Sequence, residues 1–152
     1  MKMAVITGGR EYSENVIFSL SQIRETQAAQ KAILDEGFGA NSETRLKTAL
    51  GLGITILGLI FVTSTPAGVA TIVLGLITTL SASRKEGLEK LVNDGYSGIS
   101  YWETWMQSRT QYSQIEVEFP FIEYTVDGST IRFITGDGVL KRVRTSSGWL
   151  LP

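Results

Sequence analysis

The side chains that could do chemistry in this chain are carboxylates, lysines, tyrosines and hydroxyls, because it contains neither histidine nor cysteine. That removes the commonest general base, the usual zinc ligand, every Ser–His or Cys–His nucleophile and every disulfide. The groups that remain do not converge by spacing. Asp127-Gly128 and Gly136-Asp137-Gly138 carry acidic turns, but neither has the ligand spacing of an EF-hand loop, and both read as hairpin turns. Lys141 shares a strand face with Val143, and Arg142 shares the other with Arg144. These cations could meet lipid headgroups or acidic residues such as Glu116, Glu118 and Glu123, and a salt-bridged or solvated sheet face is the preferred reading. A net charge of −1 argues against a nucleic-acid binder, which needs a basic surface for the phosphate backbone. No catalytic, cofactor-binding or metal-ligating residue is assigned. The expectation is a non-enzyme with no small-molecule substrate.

One short motif points elsewhere. Ile6-Thr7-Gly8-Gly9-Arg10-Glu11-Tyr12 resembles the opening of SLOG-type nucleotide-binding domains, whose first strand ends in a Gly-Gly-Arg-Asp-Tyr-like turn with amides facing phosphate. The resemblance implies a nucleotide sensor. It stops after the first strand and helix, has Glu11 where Asp is usual, and is followed by neither the later strands nor a second glycine motif. A plain turn before a helix is the preferred reading.

The elements that would position these groups follow from periodicity. Residues 3–7 read as a short strand closed by Gly8-Gly9. Ser13 then reads as the N-cap of a helix using Val16, Ile17, Leu20 and Ile23, with Gly37 and Gly39 as its stop. Asn41 or Ser42 caps a second helix that runs into an apolar segment. Beyond Arg84, a short helix with Leu88, Leu91 and Val92 is expected to stop at Asn93-Asp94-Gly95. A further segment places Ile99, Trp102 and Met106 on one helical face with Trp105 beside it. From Gln114 the period changes to two, and three or four strands form a small antiparallel meander. The fold class is therefore mainly α with a C-terminal β-meander (α+β). It divides into 1–41 (strand and amphipathic helix), 42–85 (hydrophobic hairpin), 86–113 (amphipathic and aromatic helix) and 114–152 (meander). The N-terminus lacks the long apolar core of a secretory signal.

The dominant feature is the segment from Thr48 to Ser83, 36 consecutive residues without a formal charge. Apolar runs of this length are usually membrane spans; the alternative, the central helix pair of a soluble bundle, is disfavoured because the flanking helices offer too few apolar residues to wrap it. Pro66 lies near the middle, and Ser64 to Gly68 supplies a turn, so the run reads as two short helical arms. Leu50, Ile54, Leu57 and Phe61 on the first arm, with Ile72, Leu76 and Leu80 on the second, form the expected lipid-facing set. Thr44, Thr48, Gly51, Thr55 and Gly58 recur on one seam, and Gly68, Thr71, Gly75, Thr78 and Ala82 on the other, at steps of three and four. Such seams of small residues let helices approach closely in lipid. Arg45 and Lys47 flank one arm and Arg84 and Lys85 the other, with no charge at the tip. The positive-inside rule then places both termini on one side, cytoplasmic if the cell inserts the protein. An arm of 16 residues reaches about 24 Å, short of a hydrocarbon core near 30 Å, so thinning, snorkelling or oligomerisation is implied.

The expected function is non-enzymatic insertion. A hydrophobic hairpin spans or breaches a lipid bilayer, as a homo-oligomer or within a larger assembly, and is soluble or assembly-bound beforehand. The layout resembles in outline the hairpins of colicin-type pore formers and of phage or injection-apparatus proteins, without a shared motif. The alternative is a resident two-span anchor whose cytoplasmic meander recruits a partner protein.

Overall fold

Strands from opposite ends of the chain meet to form the centre of the structure, a computed structural model that describes residues 4–152. Strand β1 (Ile6–Phe18) pairs antiparallel with β2 (Gln114–Val126) along nearly its whole length, from Ile6 opposite Val126 to Phe18 opposite Ile115. This corrects two expectations. The strand does not close at Gly8-Gly9, and no helix begins at Ser13. Val16 and Phe18 are buried while Ile17 faces out, which is strand alternation. Gly8 and Gly9 have φ of 121° and 83° and form a bulge, with the register shifting before Arg10. Because strand rather than helix follows, the glycines present no helix N-terminus to a phosphate, and the SLOG-like geometry is not formed. Met3, the start of the expected strand, lies outside the described residues.

Helix α1 (Leu20–Ala32) starts at a capping box. The Ser19 hydroxyl accepts the Gln22 N–H, and the Gln22 side chain accepts the Ser19 N–H at 2.9 Å. It continues as a π-helical turn, Ile33–Gly39, ending where Gly37 and Gly39 were expected to end a helix. The wide turn brings Gly37 against Leu46, Val73 and Ile77, where a side chain would have little room. Helix α2 (Glu43–Leu50) is capped by the Ser42 hydroxyl, as expected. Helices α3 (Leu57–Phe61) and α4 (Pro66–Thr79) follow, then α5 (Ala82–Gln107).

The expected stop at Asn93-Asp94-Gly95 does not occur, because α5 runs through it. Gly95 is there for close approach. A Cβ at this position would lie 1.8 Å from the Ile134 carbonyl oxygen, and one at Gly98 would lie 2.5 Å from that of Gly136. Gln30 bridges the same contact from α1, donating to the carbonyls of Val92 (3.0 Å) and Ile134 (2.8 Å). Ile99, Trp102 and Met106 share the expected face and are buried.

The sheet also departs from a simple meander. Strand β3 (Ser129–Ile134) turns back from β2 at Asp127-Gly128, both with positive φ, as a two-residue hairpin requires. Strand β4 (Val139–Thr145) then pairs with the other half of β2, not with β3, and β5 (Gly148–Leu150) pairs with β4. The class is α+β, and β2 is its spine. At the β2–β4 end the sheet face is salt-bridged, with Arg142 on Glu116 at 2.7 Å and Lys141 on Glu118 at 3.5 Å. Glu123 pairs instead with Arg10 and Tyr12. Burial opposes its ionisation, but those hydrogen bonds and the Arg10 charge together hold its carboxyl below the usual value.

The glycine assignment is testable on one helix. Gly95→Ala should lower stability by about 3 kcal/mol or prevent folding, because main chain cannot yield as a flexible side chain can. Gly87→Ala, with nothing near its Cβ, should raise stability by about 0.5–1 kcal/mol. Denaturant midpoints of the two variants against the parent chain read both.

Candidate membrane-inserting hairpin

The first arm is not one helix. Helix α2 stops at Leu50, the chain turns through Gly51–Gly53, and only the five residues of α3 resume helical form before the tip. Gly53 has φ 78°, a conformation that only glycine adopts without strain. At the tip Val62 has φ 73° and ψ −53°, the rare classic γ-turn region, and it is a β-branched residue half exposed to solvent. Pro66 does not interrupt a helix. It occupies the first turn of α4, and Thr65 is the N-cap whose hydroxyl accepts the Gly68 N–H at 3.0 Å.

Among the described residues one segment, Leu57–Thr79, which takes in α3, the tip and α4 and has a mean hydropathy of 1.9, is long and apolar enough to cross a membrane. The same length and composition also suit the core helix of a soluble protein. In this structure 44% of its most apolar stretch is buried.

The side chains expected to face lipid are directed inward. Leu50, Leu57, Phe61, Ile72 and Leu76 are buried, and Ile54 and Leu80 pack partly buried against them. Phe61 meets Phe133 edge to face at 6.1 Å. The residues of the expected seams lie on the outside instead. Gly51, Thr55, Gly58, Thr71, Thr78 and Ala82 are exposed, with Gly68 and Gly75 intermediate. The arms do approach each other, α2 against α4, but through Leu46, Val73 and Ile77 around Gly37 rather than through the seams. Gly75 serves a helix–sheet contact, with Val126 3.2 Å from where its Cβ would be. Ala82 belongs to α5, because the second arm ends at Leu80 and Ser81 caps the next helix. The physical reason is burial within the protein. Large aliphatic groups go to the apolar surface available, and the face carrying Tyr124, Val126, Ile131 and Phe133 provides it.

Three sets of polar contacts tie the hairpin to the body, through Glu25, Thr63 and Arg132, and one, from Thr71 to Glu43, ties its two arms together. Glu25 on α1 accepts the Thr55 N–H and, at 2.9 Å, the Thr55 hydroxyl. Glu43 on α2 accepts the Thr71 hydroxyl at 2.7 Å. The Thr63 hydroxyl donates to the Thr130 carbonyl at 2.7 Å. Arg132 on β3 reaches the last turn of α3. Its Nε donates to the Ile60 carbonyl (3.1 Å) and its Nη2 to that of Leu59 (2.8 Å). Its Nη1 donates to the Tyr12 hydroxyl at 3.3 Å and pairs with Glu14, and the guanidinium lies 4.0 Å from the Phe121 ring centroid. Arg132 is 8% exposed, so these groups replace water almost completely. These tethers had almost no sequence signal. A single arginine in the apolar run Ile131–Ile134 was the one available sign of Arg132.

The flanking cations sit at the surface. Arg45 pairs with Glu36 at 2.7 Å, Lys47 and Arg84 are exposed, and Lys85 is intermediate. Burial and the charge of Glu11 push the Tyr124 phenol above its usual value, against the opposing charge of Arg84. A groove of about 790 Å³ between the π turn and α5 is lined by Lys31, Asp35, Glu86, Lys90, Asn93 and Tyr96. Lys31 and Lys90 there already pair with Asp35 and Asp94. No group of three or more acidic residues that could hold a metal occurs among the described residues. Comparison with protein-family profiles, curated proteins and solved structures found no match.

Val62→Gly should raise stability by about 1 kcal/mol, since it removes a conformation costing roughly 1–3 kcal/mol and loses little buried surface. Unfolding in urea measures this, and an unchanged or lower midpoint would show that no strain resides there.

Proposed function

We propose that this protein is a non-enzymatic membrane-inserting protein, and that the fold described above is its sheltered, pre-insertion form. The observation that carries the reading is the outer face of the hairpin. A soluble core helix normally turns charge toward water. Here Ala67, Thr71 and Thr78 line the outside of α4, and Leu52, Leu59 and Val62 are 76%, 41% and 47% exposed. No charge occurs on either face between Thr48 and Ser83. The segment is apolar or neutral all round, as a bilayer requires and a soluble helix does not.

Magnitudes favour transfer over simple release. Each large buried side chain of the hairpin is worth about 1.5–3 kcal/mol of burial, so exposing Leu50, Leu57, Ile60, Phe61, Val73 and Leu76 to water would cost on the order of 10 kcal/mol or more. Hydrocarbon replaces that burial for the hairpin's own side chains, so the cost of leaving the body is the polar tethers and the uncovered face of Tyr124, Val126, Ile131 and Phe133. In the inserted form Leu50, Ile54, Leu57, Phe61, Ile72, Leu76 and Leu80 face lipid. The Gly/Thr seams then meet each other or those of other copies, so the inserted form is an oligomer. Arg45, Lys47, Arg84 and Lys85 stay at one surface, which keeps both termini on the same side.

Flotation with liposomes tests the reading. Leu57 and Leu76 are unsuitable sites for an added charge, because both are buried and an arginine there would disturb the soluble fold. Leu59→Arg lies on the exposed side and should leave that fold intact. A charge at mid-span costs about 2.5–3.5 kcal/mol and less toward an end, and Leu59 lies four residues from the tip end of the arm, so the variant should float about tenfold less well. Equal flotation of variant and parent would refute insertion of this segment. Release of a trapped dye by the parent chain marks perforation, and sealed vesicles with bound protein mark an anchor.

A further inference from the structure

We propose that Arg132 is the latch that holds the hairpin in its sheltered form. This inference rests on the membrane-inserting reading for its consequence, but the latch itself is a property of the soluble fold. Helix α3 is only five residues long, too short to be stable alone, so its shape depends on what holds its ends. Its final carbonyls have no helical partner, and the Arg132 guanidinium supplies donors to two of them, Leu59 and Ile60. The cation is fixed from the sheet side by Glu14, Tyr12 and the Phe121 ring. One planar group therefore joins β1, β2 and β3 to the first arm of the hairpin.

The surroundings of that contact are built to move. On one side lie Gly51 and Gly53, and on the other is Val62 in a strained conformation. Between them α3 exposes Leu59. Once the guanidinium is withdrawn, the Leu59 and Ile60 carbonyls lose their partners, while the backbone on both sides can change course. Strain at Val62 then favours departure rather than return. Arg132 is thus a positioning residue. It touches no lipid in the inserted form and acts by setting how often the hairpin leaves the sheet.

Arg132→Lys separates the latch from the fold, because lysine keeps a cation beside Glu14 but has no planar fork to serve two carbonyls. Hydrogen exchange of the soluble protein should become at least about tenfold faster across Leu57–Thr65, with β2 and α5 unchanged. Thr63→Val, which removes the neighbouring bond to Thr130, should move the same amides in the same direction by less. Parental exchange in the hairpin of Arg132→Lys would overturn the latch, and so would uniform acceleration of hairpin and sheet together, which would make Arg132 a general fold residue. Flotation of the same variant with phosphatidylcholine–phosphatidylglycerol liposomes reads the consequence separately. Faster local exchange with increased flotation is expected. Faster local exchange with no gain in flotation leaves the latch in place and counts against the membrane reading alone.

Discussion

A run of 36 residues with no charge has to be covered by something apolar, and most of this fold is arranged to cover one side of it. The cover is the β2–β3 end of the sheet together with α1 and the π turn, whose Gly37 meets Leu46, Val73 and Ile77. Adjacent residues Phe121 and Ile122 on β2, and Phe133 and Ile134 on β3, point to opposite faces, yet all four are buried. Both faces are therefore occupied at that end. At the β2–β4 end one face carries Glu116, Glu118 and Arg142 instead. The sheet is amphipathic along its length as well as across its faces. The N-terminal strand contributes by pairing with all of β2, which turns a small C-terminal sheet into one large enough to shelter a hairpin.

The cover is incomplete, and the incompleteness follows from composition. Small and hydroxylic residues fill the outward positions of α4, where a soluble protein would place lysine or glutamate. The Thr78 hydroxyl turns back on the helix to the Leu74 carbonyl at 2.8 Å, which satisfies it in any solvent, while that of Thr71 donates to Glu43. The same helix surface is tolerable in water and in lipid. Against this neutral background the polar tethers stand out, because they are the interactions that hydrocarbon cannot replace.

How much of this was legible in the sequence varies by element. Ser42, the Asp127-Gly128 turn and the alternation after Gln114 carry local signals, and the α+β class followed from them. The β1 error arose because Ile17, Leu20 and Ile23 happen to continue at helical spacing across a strand–helix boundary. The Ser19–Gln22 capping box marked that boundary and was the better signal. Gly95 reads locally as a stop, and only the carbonyl of Ile134, far along the chain, explains it as a close approach. The hairpin's orientation was illegible for a related reason. Counting the apolar residues of the flanking helices alone leaves too few to cover it, and the missing partner is the sheet. Arg132 shows the same limit most sharply, since its two carbonyl partners lie more than seventy residues away.

The central claim is that the uncharged hairpin leaves the sheet and crosses a bilayer with only its tip on the far side. The chain has no native cysteine, so single cysteines at Ser42, Ser64 and Ser97 can be read without background. With liposome-bound protein and a membrane-impermeant thiol reagent added outside, residues 42 and 97 should be labelled. Residue 64 should react only when the reagent is trapped within the vesicles. Labelling of residue 64 from outside as readily as residues 42 and 97 would contradict the account, because the hairpin would then have stayed on the sheet or on the membrane surface.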